Sequence, residues 1–190
     1  MDATQEITQK KILETVMVEF RAKGLKFTMD DIAKDLHMSK KTIYKIYRDK
    51  EEIFDSMVDY VFNSIKESEH AILNDESLTT SQKVGKILIA LPDSYQNVDF
   101  RLMFQVKDKY PKVYQKINER IENDWEETIA LIEKGIGEGT IRPISISTFK
   151  TMFEATIEKF LSSDVLITNN MEYQEALNNM IDILMNGLRK

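Results

Sequence analysis

Residues 28–54, TMDDIAKDLHMSKKTIYKIYRDKEEIF, place three helix-start signals within 27 residues. Thr28, Ser39 and Asp49 each offer a side-chain oxygen where the first free amides of a helix need an acceptor. Phe27 and Ile32 bracket the first start as a hydrophobic staple, with Asp31 as its imperfect capping-box partner, while Asp49 and Glu52 complete a box at the third. The pattern predicts two short helices joined by a tight turn, then the beginning of a longer one. The turn falls in Asp35-Leu36-His37-Met38, where His37 stands in a position that glycine fills at less conformational cost.

Ile32, Ala33 and Leu36 form the apolar side of the first helix, and Ile43, Ile46 and Tyr47 can point inward from the second. That leaves Lys40, Lys41, Thr42, Tyr44, Lys45 and Arg48 on an outer arc with four cations and no carboxylate. A short helix with this division has the character of a recognition helix lying in the major groove of DNA. Its lysines can reach phosphates or guanine edges, and Thr42 or Tyr44 a phosphate or a thymine methyl.

This stretch resembles the DNA-binding domain of the TetR family of transcriptional regulators. The matching residues are Phe20, Gly24, Thr28, Ile32, Ala33, Ser39, Thr42, Tyr44, Lys50, Glu51 and Glu52, with Ile43 and Ile53 as conservative changes. The likeness runs over about residues 7–60 without a gap. His37-Met38 replaces the family's glycine-valine, Lys41 its glycine, and Tyr47 its phenylalanine. The candidate DNA-binding set is Thr28, Ser39, Lys40, Lys41, Thr42, Tyr44, Lys45, Tyr47, Arg48 and Lys50. The resemblance implies an all-α fold: an N-terminal three-helix domain with a helix-turn-helix, linked to a C-terminal helical ligand-binding and dimerisation domain.

The net charge of −6 argues against nucleic acid until it is divided along the chain. Residues 1–50 hold 11 Lys/Arg against 8 Asp/Glu, a charge of +3, and the remainder holds 15 against 24, a charge of −9. A small basic reader attached to an acidic body fits this split. The 42% of hydrophobic residues is enough for a folded core. There is no run of 18 apolar residues and no signal-peptide pattern, so no membrane association and a cytoplasmic location are expected. The absence of cysteine is compatible with that compartment.

The periodicity predicts a first helix over 6–23, with Leu13, Val16, Met17 and Phe20 inward and Gly24 closing it. The domain boundary is expected at 1–50 and 51–190, with a helix over about 49–70 linking head and body. Residues 74–82 read as a polar break, Lys83–Leu91 as a short helix, and Asn97 as the cap of another reaching about Lys107. Pro111 is placed to begin the longest body helix, which runs with Ile117, Ile121, Trp125, Thr128 and Ile132 inward until Gly135. GIGEGTIRP at 135–143 is a turn-rich connector. It lacks the lysine and hydroxyl that follow a phosphate-binding glycine loop.

Two final helices fall at about 146–162 and 172–188. Their wide apolar arcs predict a symmetric four-helix contact in a homodimer, carried by Phe149, Met152, Phe153, Thr156, Phe160, Leu177, Met180, Ile181, Leu184 and Leu188. A dimer reads two half-sites, so the expected partner is double-stranded DNA with an inverted-repeat operator. The resemblance further implies a repressor released by a small-molecule effector. Phe100, Met103, Phe104, Tyr110, Tyr114, Ile117, Ile121 and Trp125 are the candidate lining residues, and their character suggests an apolar or amphipathic ligand.

Catalysis finds little in the sequence. His37 and His70 lie in different elements, cysteine is absent, and no helix carries metal-ligand spacing, so neither an enzyme nor a cofactor is expected. The competing class is a helical protein-interaction or ligand-binding module without DNA-binding activity. It draws on the negative total charge and the residues at 37 and 41.

Overall fold

The computed structural model describes residues 3–92 and 100–188. Among them every regular element is helical. Helix α1 (Ala3–Lys23) ends at Gly24, whose φ of +56° is the left-handed conformation that closes helices, and a 3₁₀ turn over Gly24–Lys26 leads to buried Phe27. Helices α2 (Met29–Asp35) and α3 (Lys40–Tyr44) follow, then α4 (Lys50–Leu73), the longest element. Helix α3 is shorter than the outer arc of 40–48 suggests. Its helical hydrogen bonding continues through Ile46 and Tyr47 amides, both donated to the Ile43 carbonyl.

The head closes around Ile12, Val16, Phe20, Phe27, Ile32, Ile43, Ile53 and Phe54, all at or below 1% exposure. Phe54 is the hub: its ring lies 5.7 Å from that of Phe20, 5.9 Å from Phe27 and 5.4 Å from Tyr110 in the body. Helix α4 therefore belongs to both cores. At 1.5 Å per residue its 24 residues extend about 36 Å.

The body contains α5 (Thr80–Leu88), a 3₁₀ turn over Phe100–Leu102, α6 (Met103–Lys109), α7 (Pro111–Asn123), α8 (Glu126–Gly137), α9 (Ile146–Ser162), α10 (Val165–Thr168) and α11 (Tyr173–Leu188). Helix α5 starts earlier than its apolar pattern suggests, because Thr79 and Gln82 form a reciprocal capping box. The cap expected at Asn97 lies outside the described residues. Lys116 of α7 reaches back to Asp55 and Asp59 of α4, at 2.9 and 2.6 Å, and ties the body to the linking helix.

The expected long helix from Pro111 is two helices. The Trp125 indole Nε1 donates to the Ile121 carbonyl at 2.8 Å, and Lys66 Nζ donates to the Asp124 carbonyl at 3.0 Å. The first of these carbonyls is the acceptor that the Trp125 amide would use in a continuous helix. Side chains from two elements thus occupy the backbone acceptors at the junction, and the chain turns there without proline or glycine.

Candidate nucleic-acid interface and ligand cavity

The helix-turn-helix is fixed by its caps. Asp31 N–H donates to Thr28 Oγ1 at 3.2 Å, while the Asp31 carboxylate accepts the Thr28 amide at 2.6 Å, closing a capping box despite the short acid. Lys23 and the Thr28 hydrogen bonds hold the Asp31 carboxyl at about 2, well below the usual carboxylate range. In the turn His37 adopts φ +50°, and the Met38 amide donates to the Ala33 carbonyl at 2.9 Å. Histidine thus takes the left-handed position, and the turn closes. Ser39 Oγ then accepts the Thr42 amide at 3.1 Å.

The outer arc is not uniform. Lys41, Thr42, Tyr44 and Lys45 are exposed, and among the described residues Lys41 and Lys45 have no carboxylate partner. Lys40 pairs with Asp30, and Arg48 with Asp49 and Glu52 at 3.2 and 3.9 Å. Tyr47 is 3% exposed and belongs to the core, where burial pushes its phenol up. Lys50 turns inward and donates to the carbonyls of Leu25 and Phe27 at 2.9 and 2.6 Å. Thr28 and Ser39 are exposed, their hydroxyls acting as caps. The outward surface is therefore smaller than the candidate set: Tyr47 and Lys50 leave it because apolar packing and backbone carbonyls claim them.

A cavity of about 200 Å³ lies among the body helices and is closed on the head side by Met17 and Phe20 of α1. Of the expected lining residues, Phe100, Met103, Ile117, Ile121 and Trp125 bound it. Phe104, Tyr110 and Tyr114 do not line it: Tyr110 stacks near Phe54 at the head–body junction, and Tyr114 is 4% exposed in the core. Helix α4 supplies a wall that the periodicity of the body helices did not indicate, with Phe62, Ile65, Lys66 and Glu69. Their i, i+3, i+4, i+7 spacing was the available signal, masked by the two charges. Phe153 from α9 meets Trp125 edge-on at 5.3 Å, and Leu177 and Tyr173 from α11 complete another side.

One end of the cavity is polar. Lys66 Nζ donates to Glu69 Oε2 at 2.7 Å, and Arg120 Nε stands 3.0 Å from Asp124 Oδ2. Burial pushes the Glu69 carboxyl up, against the opposing pull of Lys66. Apart from Thr128 the remaining wall is aliphatic and aromatic, a lining suited to an amphipathic small molecule. Among the described residues no group of three His, Cys, Asp or Glu is placed to hold a metal ion.

Residues 12–57 match the sequence profile of the tetR family of bacterial regulatory proteins. A Bacillus subtilis protein, YvaF, described as an uncharacterised helix-turn-helix transcriptional regulator, is 27% identical over 179 residues, which is 94% of either chain. Over residues 12–57 the chain thus carries the N-terminal signature of the tetR family. Its fold is shared by a TetR transcription regulator from Haloarcula marismortui, with a TM-score of 0.73 at 14% identity over 97% of this chain and 100% of that one. The regulator FadR from Bacillus subtilis, solved in complex with stearoyl-CoA, aligns with a TM-score of 0.60 at 18% identity over 95% and 99%.

The α9 and α11 arcs are divided between interior and surface. Phe149, Leu177 and Ile181 are buried within the protomer, and Phe153 faces the cavity. Phe160, Met180 and Leu184 are half-buried, Thr156 donates its hydroxyl to the Met152 carbonyl, and Met152 is 52% exposed. Ile183, absent from the expected contact set, is 71% exposed beside Met180 and Leu184 on α11. The Leu188 side chain lies outside the described residues. No described helix is long and apolar enough to cross a membrane.

Proposed function

We propose that the protein is a homodimeric, sequence-specific DNA-binding transcriptional regulator, a repressor that leaves an inverted-repeat operator when a small molecule fills the body cavity. The observation that carries the reading is the outward cluster Lys41, Thr42, Tyr44 and Lys45 on a capped helix whose opposite side, at Ile43 and Tyr47, is locked into the head core. Lysines without internal partners are free to neutralise phosphates, and the hydroxyl groups can meet base edges or the backbone. The head is residues 1–50 and the body 51–190, with the first turns of α4 contributing Ile53 and Phe54 to the head core.

Helix α4 gives a physical route from cavity to head. Phe54 sits in the head core, whereas Phe62, Lys66 and Glu69 on the same helix wall the cavity. A ligand that prefers one position of α4 shifts the relative placement of two heads in a dimer, provided its affinity differs between the two arrangements. The stearoyl-CoA complex of FadR supports the effector reading as a ligand-bound instance of the same fold.

The test is selection of duplexes from a random pool by the purified protein beside a Thr42→Ala/Tyr44→Ala/Lys45→Ala variant. The expected outcome is an inverted repeat enriched by the parent and not by the folded variant. Failure of the parent to enrich any motif overturns the regulator reading and favours an interaction module.

A further inference from the structure

The polar end of the cavity is unevenly satisfied. The Lys66 ammonium has two acceptors, the Glu69 carboxylate at 2.7 Å and the Asp124 carbonyl at 3.0 Å. Arg120 is ion-paired with Asp124, whose Oδ2 lies 3.0 Å from its Nε, yet both atoms are buried without a hydrogen-bond partner among the described residues. Its guanidinium lies over the Phe62 ring, 5.3 Å from the centroid, at the boundary between the polar end and the apolar wall.

This imbalance selects the sign of the missing group. A cationic ligand would have to displace Lys66 from Glu69 or Arg120 from Asp124, breaking a pair that is already formed. An anion instead supplies acceptors to a planar fork of five N–H donors, a shape that carboxylates meet with two parallel bonds. Asp124 Oδ2 faces only Nε, and among the described residues no acceptor is hydrogen-bonded to the other N–H groups of Arg120. The size of the space limits the rest of the molecule. About 200 Å³ is somewhat more than the roughly 150 Å³ that takes up benzene in an apolar protein cavity.

We infer that the cavity takes a compact amphipathic monocarboxylate, with an alkyl or arylalkyl body of about eight carbons against Phe62, Trp125 and Phe153 and its carboxylate on Arg120. The inference rests on the reading of this cavity as the effector site and adds the chemical class.

Trp125 is the chain's single tryptophan and stands in the cavity wall, so its fluorescence reports occupancy directly. The full-length protein is titrated at neutral pH with octanoate, 1-octanol and octylamine, which share a body and differ in charge. Octanoate is expected to bind about tenfold or more tightly than octanol, with octylamine weakest. Arg120→Gln is expected to bind octanoate and octanol alike while retaining octanol affinity, and Arg120→Lys, which keeps the charge and loses the fork, to fall between. Circular dichroism checks that each variant folds, and the lysine variant carries the comparison if the glutamine variant does not.

No fluorescence response to octanoate, a preference for octanol or octylamine, or an octanoate preference unchanged in the folded Arg120 variant overturns the inference. The selected operator duplex separates it from the reading beneath it. Octanoate that binds without altering duplex affinity removes the effector role and leaves the ligand class standing. Release by octylamine or octanol alone removes the class and leaves the effector role.

Discussion

Lys50 Nζ lies 3.7 Å from the centroid of the Phe27 ring while donating to the carbonyls of Phe27 and Leu25. One side chain at the start of α4 therefore fastens the connection between α1 and α2, satisfying two carbonyls that follow the end of α1. Lys50→Met is expected to destabilise the protein by about 1–3 kcal/mol through the lost charge-assisted bonds. Because the ammonium is turned inward, the same variant leaves the salt dependence of DNA binding unchanged. Urea unfolding and duplex titration at several salt concentrations read the two effects separately.

Burial, with the Lys109 charge beside it, lowers the Lys50 ammonium from 10.5 to about 8. Between these values the unfolded chain binds more protons at this site than the folded one, so the contribution of Lys50 to stability rises with pH across that window. The stability difference between the parent and Lys50→Met should therefore widen from pH 8 towards 10. A difference that is flat or shrinks over that range would show that the two carbonyls and the ring outweigh desolvation of the ammonium.

The cations of the reading helix should fall into two groups. Lys41→Ala and Lys45→Ala each remove a lysine without an internal partner, and each is expected to lower the slope of log affinity against log salt by about 0.9 if the lysine meets a phosphate. Lys40→Ala and Arg48→Ala remove cations already facing Asp30, or Asp49 and Glu52, and should change the slope less. Equal effects at all four positions would mean that those internal pairs open on DNA. Fluorescence anisotropy with the selected duplex across salt concentrations provides the measurement.

The head was legible in the sequence because its determinants are local. Thr28, Ser39 and Asp49 act on amides three residues away, and each cap is present where the residue type announces it. The cavity was only half legible because it is assembled from eight helices spread along the chain. Phe100, Met103, Ile117, Ile121 and Trp125 announced themselves by apolar character, whereas Lys66 and Glu69 carry charges that read as a solvated face. The break after Asn123 had no local signature either, since it depends on an indole and a distant ammonium capturing carbonyls.

Gly135 shows a tertiary constraint within α8. A methyl group there would stand 2.6 Å from Ile141 Cδ1 and 2.9 Å from Cγ1, and Ile141 is 1% exposed. Overpacking costs of about 1–3 kcal/mol exceed the roughly 1 kcal/mol that alanine gains over glycine in a helix, so Gly135→Ala is expected to lower stability. Combined with Ile141→Val, the loss should be less than the sum of the two single changes. Additive losses in chemical denaturation would place the strain elsewhere.

The outer surface of α9 and α11 provides the last test. Ile183 of α11 and Met152 of α9 are large apolar side chains left 71% and 52% exposed in the protomer, and a two-fold contact that covers both helices would remove both from water. The parent is expected to sediment as a dimer at micromolar concentration, and Ile183→Glu as a monomer, because charges facing each other across a two-fold interface would be desolvated and of like sign. Since Ile183 contributes little to the protomer core, the variant should keep its helical content. Its operator affinity should fall steeply, as one head then has to bind without the other. Sedimentation of the parent as a monomer, both free and on its best duplex, removes the dimer from the proposed function; a dimer unaffected by Ile183→Glu moves the interface to another face.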